Sequence, residues 1–169
     1  MSEIAKRVFT QVFGVVGAIL ERDGKFLLVQ ENNPPHPDHG KWNQPAGWID
    51  VGENPVAAVA REVKEETGLN FTPTHILGVY SRVRRDLAGK FGEQTLPHPL
   101  KIIFSGTIGA SSSGHFDTEE ISENRWFTPE EINAMDKSTL RDMDIKNEIQ
   151  AYLSGTRYPL SLITHTVQE

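Results

Sequence analysis

Between residues 47 and 69 the chain sets a glycine, a lone glutamate and a glutamate-rich run at fixed spacing: Gly47, Glu53, Arg61, Glu62, Glu65, Glu66 and Gly68, with apolar Val63 and Leu69. The pattern reads G-x5-E-x7-R-E-V-x-E-E-x-G-L. Asn54 suits an N-cap, Pro55 the first helical position and Gly68 the residue just past the end, so the spacing predicts a helix over Pro55–Thr67. At about 100° per residue, Glu62, Glu65 and Glu66 fall within an arc of roughly 100°, beside a stripe of Val56, Val59, Ala60, Val63 and Thr67. One edge of that helix is carboxylate and one face is core. Three carboxylates on one edge raise each other's pKa unless cations lie between them, and hard oxygen ligands suit Mg²⁺ or Mn²⁺. Such glutamates are otherwise the solvated face of an amphipathic helix; Gly47 and Glu53 upstream favour the metal reading.

At every fixed position this stretch resembles the signature of the Nudix hydrolases, which cleave diphosphate linkages in nucleoside diphosphates joined to another group. Seven such identities arise by chance on the order of once in 10⁸ starting positions. The resemblance implies Glu65 and Glu66 as the main metal ligands, with Glu62 either a third ligand or the general base. It also implies that Glu53 is an auxiliary metal group and that Ala46, just before the signature, offers its backbone carbonyl to a metal. A further acidic ligand is expected from a loop ahead of a tryptophan like Trp126. Glu120 is the candidate, Glu119 and Glu123 are its rivals, and all three as plain loop acids are the alternative. Arg61, one turn before Glu65, is placed to orient a motif carboxylate. Water would attack phosphorus while metal ions neutralise the phosphate oxygens and activate the water.

Trp42 and Trp48 flank the entrance to the motif and are candidates to stack on a base, packing being the other use of a tryptophan. Ser81 to Pro99 is a long connection carrying Arg82, Arg84, Arg85 and Lys90, a cationic cluster in an acidic chain. Arg84 or Lys90 is expected to reach substrate phosphate, with a solvated charge run as the alternative. The hexapeptide Trp42-Asn43-Gln44-Pro45-Ala46-Gly47 looks like a branch with broad nucleoside di- and triphosphate or pyrimidine diphosphate phosphatase activity. His36, His39, His98 and His115 sit in loop contexts without H-E-x-x-H spacing and are assigned no metal. The expected partner is a small nucleotide or related organic diphosphate. The competing function is a non-catalytic Nudix-fold nucleotide-binding or regulatory module, although Glu62, Glu65 and Glu66 are all kept. An isoprenoid diphosphate isomerase would need a cysteine, and there is none.

The secondary structure around the motif is partly readable as well. Val12 to Glu21 and Lys25 to Gln30 look like two strands around a tight turn at Arg22-Asp23-Gly24. Glu31 to Gly40 is a loop, and Trp42 to Ile49 is an extended segment that delivers Gly47. Ile76 to Val83, Leu100 to Ile108 and a segment ending at Arg125-Trp126-Phe127 are strand candidates. Thr128-Pro129-Glu130-Glu131 is a capping box that starts a short helix. Thr139 to Leu153 carries a helical rhythm, Ser111 to Gly114 is a flexible turn, and the tail from Thr156 is expected to be loosely ordered. The family resemblance, rather than periodicity, implies an α/β fold: a Nudix-type α/β/α sandwich with a mixed β-sheet, as one domain over residues 1–169.

With 169 residues, 37% hydrophobic and 24% charged, the chain can bury one substantial core. The absence of cysteine excludes disulfides, thiolate zinc sites and cysteine nucleophiles. Val12 to Leu20, the longest apolar run, is too short for a membrane span, and no export signal is evident. A formal net charge of −6 argues against a broad nucleic-acid surface but not against a small anionic substrate, because bound metal inverts the local field. The expectation is a cytoplasmic protein, monomer or homodimer.

Overall fold

Strand β1 (Val12–Ile19) organises the molecule because both of its edges are taken. In the computed structural model, which describes residues 12–34, 36–85, 96–109 and 116–168, β1 pairs antiparallel with β5 (Ala46–Trp48) and parallel with β7 (His98–Ile108). Beyond β7 lie β6 (Phe71–Ser81) and β9 (Tyr158–Pro159), giving the mixed order β5-β1-β7-β6-β9. A second sheet joins β2 (Glu21–Arg22), β3 (Lys25–Glu31) and β4 (Trp42–Asn43), and β8 (Ile121–Phe127) pairs with β3.

The turn at Asp23-Gly24 forms with both residues at positive φ, 53° and 76°, the geometry that an Asp-Gly hairpin requires. The hairpin is shorter than the sequence suggests. On the first arm of the hairpin only Glu21 and Arg22 are ladder partners of β3, with one more bond from the Leu27 N–H to the Leu20 carbonyl at 3.0 Å, since β5 and β7 already occupy the edges of β1 and β3 must enter the second sheet.

Helix α1 (Pro55–Thr67) has the predicted bounds. Asn54 Oδ1 accepts from the Val56 N–H at 2.9 Å, Pro55 opens the first turn, and Gly68 ends the helix at φ 71°. Its buried Ala58, Val59 and Val63 pack with Val16, Ala18 and Phe104 on one face of the first sheet. On the other face, α3 (Ile145–Leu153) sets Ile145 and Ile149 against Leu77 and Ile103. Helices on both faces of a mixed sheet make the expected sandwich. Between β8 and α3, α2 (Pro129–Ala134) starts at the Thr128/Glu131 capping box.

Three expectations need correction. The helix expected from Thr139 starts only at Ile145, because residues 136–144 turn around Asp136, whose carboxylate accepts from Ser138. Leu140 is buried there by a parallel bridge to Trp42, so its place in the apolar rhythm reflects core packing rather than helix. The extended segment Trp42 to Ile49 is two strands in two sheets, split at Gln44-Pro45, where proline lacks the N–H a continuing ladder needs. The tail is docked: His75 and Ile76 pair with Pro159 and Tyr158, and Leu160 and Ile163 pack against the α1-side core. Lys90, His115 and Ser111 to Gly114 lie outside the described residues. Among the described residues no helix is long and apolar enough to cross a membrane.

Candidate active site

Helix α1 presents its carboxylate edge to a cavity of about 960 Å³, at the edge strand β5. Glu66 is 6% exposed, and its Oε2 accepts from the Ala46 N–H at 2.9 Å, fastening helix to strand. Burial pushes the Glu66 carboxyl well above the ordinary range; the Ala46 N–H opposes this, and Glu31 and Glu62 add to it. Glu62 is raised as well, mainly by burial and against the pull of Arg61, with Glu65 and Glu120 adding repulsion. The Glu62 carboxyl group lies so close over Gly47 that a Cβ at that position would collide with it. A side chain at position 47 would have to push the Glu62 carboxyl group aside, so the glycine here serves close approach and not a positive backbone angle.

Arg61 is the hub of the site. Its Nε and Nη2 donate to the two oxygens of Glu53 at 2.9 Å each, Nη2 also donates to the Trp48 carbonyl at 3.0 Å, and Nη1 reaches Glu62 at 2.8 Å and Glu65 at 3.0 Å. The guanidinium therefore ties the loop after β5 to two motif carboxylates. Glu53, expected as an auxiliary metal group, gives both oxygens to Arg61, which holds its carboxyl below the usual range. One more N–H, from Asp50, reaches Glu53 at 3.1 Å.

The lining also holds groups from distant parts of the chain, some of which sequence spacing cannot find. Glu31, at the end of β3, accepts from Arg141 at 2.6 Å, a pair separated by 110 positions, and Asn43 Nδ2 approaches the same oxygen at 3.4 Å. Glu119 and Glu120 both line the cavity, and the Glu120 carbonyl accepts from the Asn32 N–H at 2.7 Å. Glu123 instead lies exposed on β8 and is not part of the lining. Lys101 enters from β7, with its Nζ 2.6 Å from both Asp142 and Glu148.

The remaining candidates divide. Trp48 is 62% exposed at the cavity, stacked on Phe13 with ring centroids 4.6 Å apart. Trp42 is corrected: at 7% exposure it belongs to the core, edge-on to Phe127 at 4.8 Å, and offers no face to a ligand. Arg84 is also corrected. It reaches the cavity wall, but its guanidinium makes a two-pronged bond to buried Asp38 at 2.9 and 3.1 Å, so its charge is spent on structure.

Among the described residues no three acidic or histidine side chains converge as a ready-made cage for an ion. The chemistry of the donor set nevertheless fits a hard divalent cation. Buried carboxylates that raise one another's pKa are the groups a cation between them would relieve, and oxygen donors suit Mg²⁺ or Mn²⁺.

The chain is similar to known proteins over most of its length. The NUDIX domain family model matches residues 10–146. The Phosphatase NudJ of Escherichia coli K12 is 33% identical over 150 residues, covering 88% of this chain and 88% of that protein. A NUDIX hydrolase from Nitrosomonas europaea superposes with a TM-score of 0.79 at 32% identity, over 92% of this chain and 98% of its own. The MutT protein from Methanosarcina mazei Go1 gives a TM-score of 0.67 at 25% identity, over 86% and 95%.

Proposed function

We propose, from the premise that this chain belongs to the NUDIX family and is a Nudix hydrolase, that it uses Mg²⁺ to hydrolyse a diphosphate linkage in a nucleotide or related organic diphosphate. Nucleoside di- and triphosphates and pyrimidine diphosphates are the first substrates to try. The observation that carries this reading is the set of motif carboxylates, buried Glu62 and Glu66 beside exposed Glu65, in the lining of a cavity large enough for a nucleotide.

Glu62, Glu65, Glu66, the Ala46 carbonyl and Glu120 would hold the ion, Mn²⁺ serving in place of Mg²⁺. Bound there, the metal supplies Lewis-acid neutralisation of the phosphate oxygens and a water of lowered pKa. The protein's own contribution is positioning. Arg61 fixes Glu62 and Glu65 relative to the end of β5 at Trp48 and the loop that carries Glu53. Glu62, raised by burial, has the character of a general base if it is not itself a ligand. Arg141, with its side chain one-third exposed at the cavity, brings positive charge to the lining, where an anionic substrate gains from it, whereas the Lys101 charge is taken up by Asp142 and Glu148. Trp48 bounds the mouth with an exposed ring that an organic group can lie against. The phosphatase named among the relatives supports the reaction class, and the reading places the enzyme in the cytoplasm.

The test is a phosphate and pyrophosphate release screen against nucleoside di- and triphosphates, ADP-ribose, dinucleoside polyphosphates and pyrimidine diphosphates, with Mg²⁺ or with chelator. Metal-dependent turnover of one class names the substrate group. Nucleotide binding with no turnover anywhere would replace the enzyme by a binding module.

A further inference from the structure

Gln44 lines the cavity and has no role in the chemistry above. It is 1% exposed, and neither its Oε1 nor its Nε2 has a hydrogen-bond partner among the described residues. A buried amide left unpaired is destabilising, and native interiors satisfy the great majority of such groups. The neighbours of Gln44 are committed: Asn43 approaches Glu31, and the Ala46 N–H is bonded to Glu66. Only the carboxamide between them is not.

The strand register says which surface it belongs to. Trp48 and Lys101 flank Val15 on the neighbouring strands, and Ala46 and Ile103 flank Gly17. Paired residues share a sheet face, as do residues two apart on a strand, so Phe13, Val15 and Gly17 lie on one face with Trp48, Ala46 and Lys101. Gln44 Nε2 lies 3.3 Å from where a Cβ on Gly17 would stand, which puts the carboxamide on that face as well. It is the face turned away from α1, whose partners on β1 are Val16 and Ala18. The wall is thus an apolar strip over Val15 and Ala46, closed outward by the Phe13–Trp48 stack and inward by one uncommitted carboxamide.

We propose that Gln44 determines specificity, its carboxamide reading the edge of a planar heterocycle that presents a donor beside an acceptor. This rests on the diphosphate hydrolase reading and names the organic half of its substrate. A phosphate offers acceptors only and would leave Oε1 unpaired, whereas an amino group beside a ring nitrogen, or a lactam edge, satisfies both atoms at once. The carboxamide can turn over to accept either order of donor and acceptor, so the predicted preference is for the class of heterocycle and not for one base.

The test compares wild type with Gln44→Met, similar in length and without the amide. Calorimetry with Mg²⁺ present measures binding of non-hydrolysable methylene analogues of cytidine and adenosine triphosphate, each with an amino group beside a ring nitrogen, and of inorganic tripolyphosphate. The substitution is expected to weaken analogue binding by about tenfold or more while tripolyphosphate changes by less than about twofold. The ligand-free thermal midpoint should hold or rise, because an unpaired buried amide has been removed. Equal loss for both ligands, no loss, failure of the wild type to bind either analogue, or a midpoint lowered by several degrees would each overturn the proposal. Because this readout needs no turnover, failure of the hydrolase reading shows separately, as nucleotide binding without metal-dependent release.

Discussion

Glu66 and the two tryptophans show how one residue type takes different work from its surroundings. Burial holds Glu66 well above the ordinary carboxyl range, so Glu66→Gln should leave the metal-free midpoint unchanged or raised. The same change should abolish both Mg²⁺-dependent turnover and any rise in midpoint on adding Mg²⁺. A folded Glu66→Gln protein that kept turnover would remove this residue from the ligand set. Trp42 packs edge-on to Phe127, and Trp42→Ala should cost about 3–5 kcal/mol in denaturant unfolding. Trp48→Ala, at an exposed ring, should change stability by less than about 1 kcal/mol and act instead on KM. Sequence spacing placed both beside the motif; alternation along two different strands sends one inward and one out.

At the scale of elements, the loop after β3 is held to the segment before β7 by the Asp38–Arg84 pair, with Lys41 and Arg141 also near Asp38 at 3.5 and 3.4 Å. Burial raises the Asp38 carboxyl, but the Arg84 bond and the surrounding cations outweigh it and hold it below its ordinary value. Arg84→Ala should therefore lower unfolding free energy by about 3 kcal/mol, since it strips a buried carboxylate of its main partner. A variant of wild-type stability with a raised KM would return Arg84 to substrate binding. Helix α1 was legible to the residue because cap, first-turn proline and terminal glycine are local signals. The break at Gln44-Pro45 and the late start of α3 were not, because each depends on which sheet or core a short segment joins.

Across the whole molecule, Lys101 on β7 is buried between Asp142 and Glu148, tying the first sheet to α3. Burial pushes the Glu148 carboxyl up to about 7, against the pull of Lys101 and with Asp142 and Asp144 adding to the rise. A folded-state value above the unfolded one means the folded protein binds the proton more tightly. That contribution is fully present below about pH 4.5 and is lost as pH rises through about 7. Glu148→Gln should remove this dependence, so the difference between wild-type and variant midpoints should shift against the wild type between pH 5 and 8. Parallel curves across that range would contradict the assignment.

The motif helix, its caps and its carboxylate edge are readable from the chain alone, because they follow from identities a few positions apart, whereas the place of Gly47 beneath the Glu62 carboxyl group, 15 positions on, is not. The resemblance they carry brought the fold and the reaction class with it. Tertiary structure alone decided that Glu31 meets Arg141, that Arg84 serves Asp38, that Trp42 is core, and that the Gln44 carboxamide is buried beside Gly17 with no partner among the described residues. Those contacts join residues tens of positions apart, and no periodicity in the chain encodes which distant strand a side chain will face.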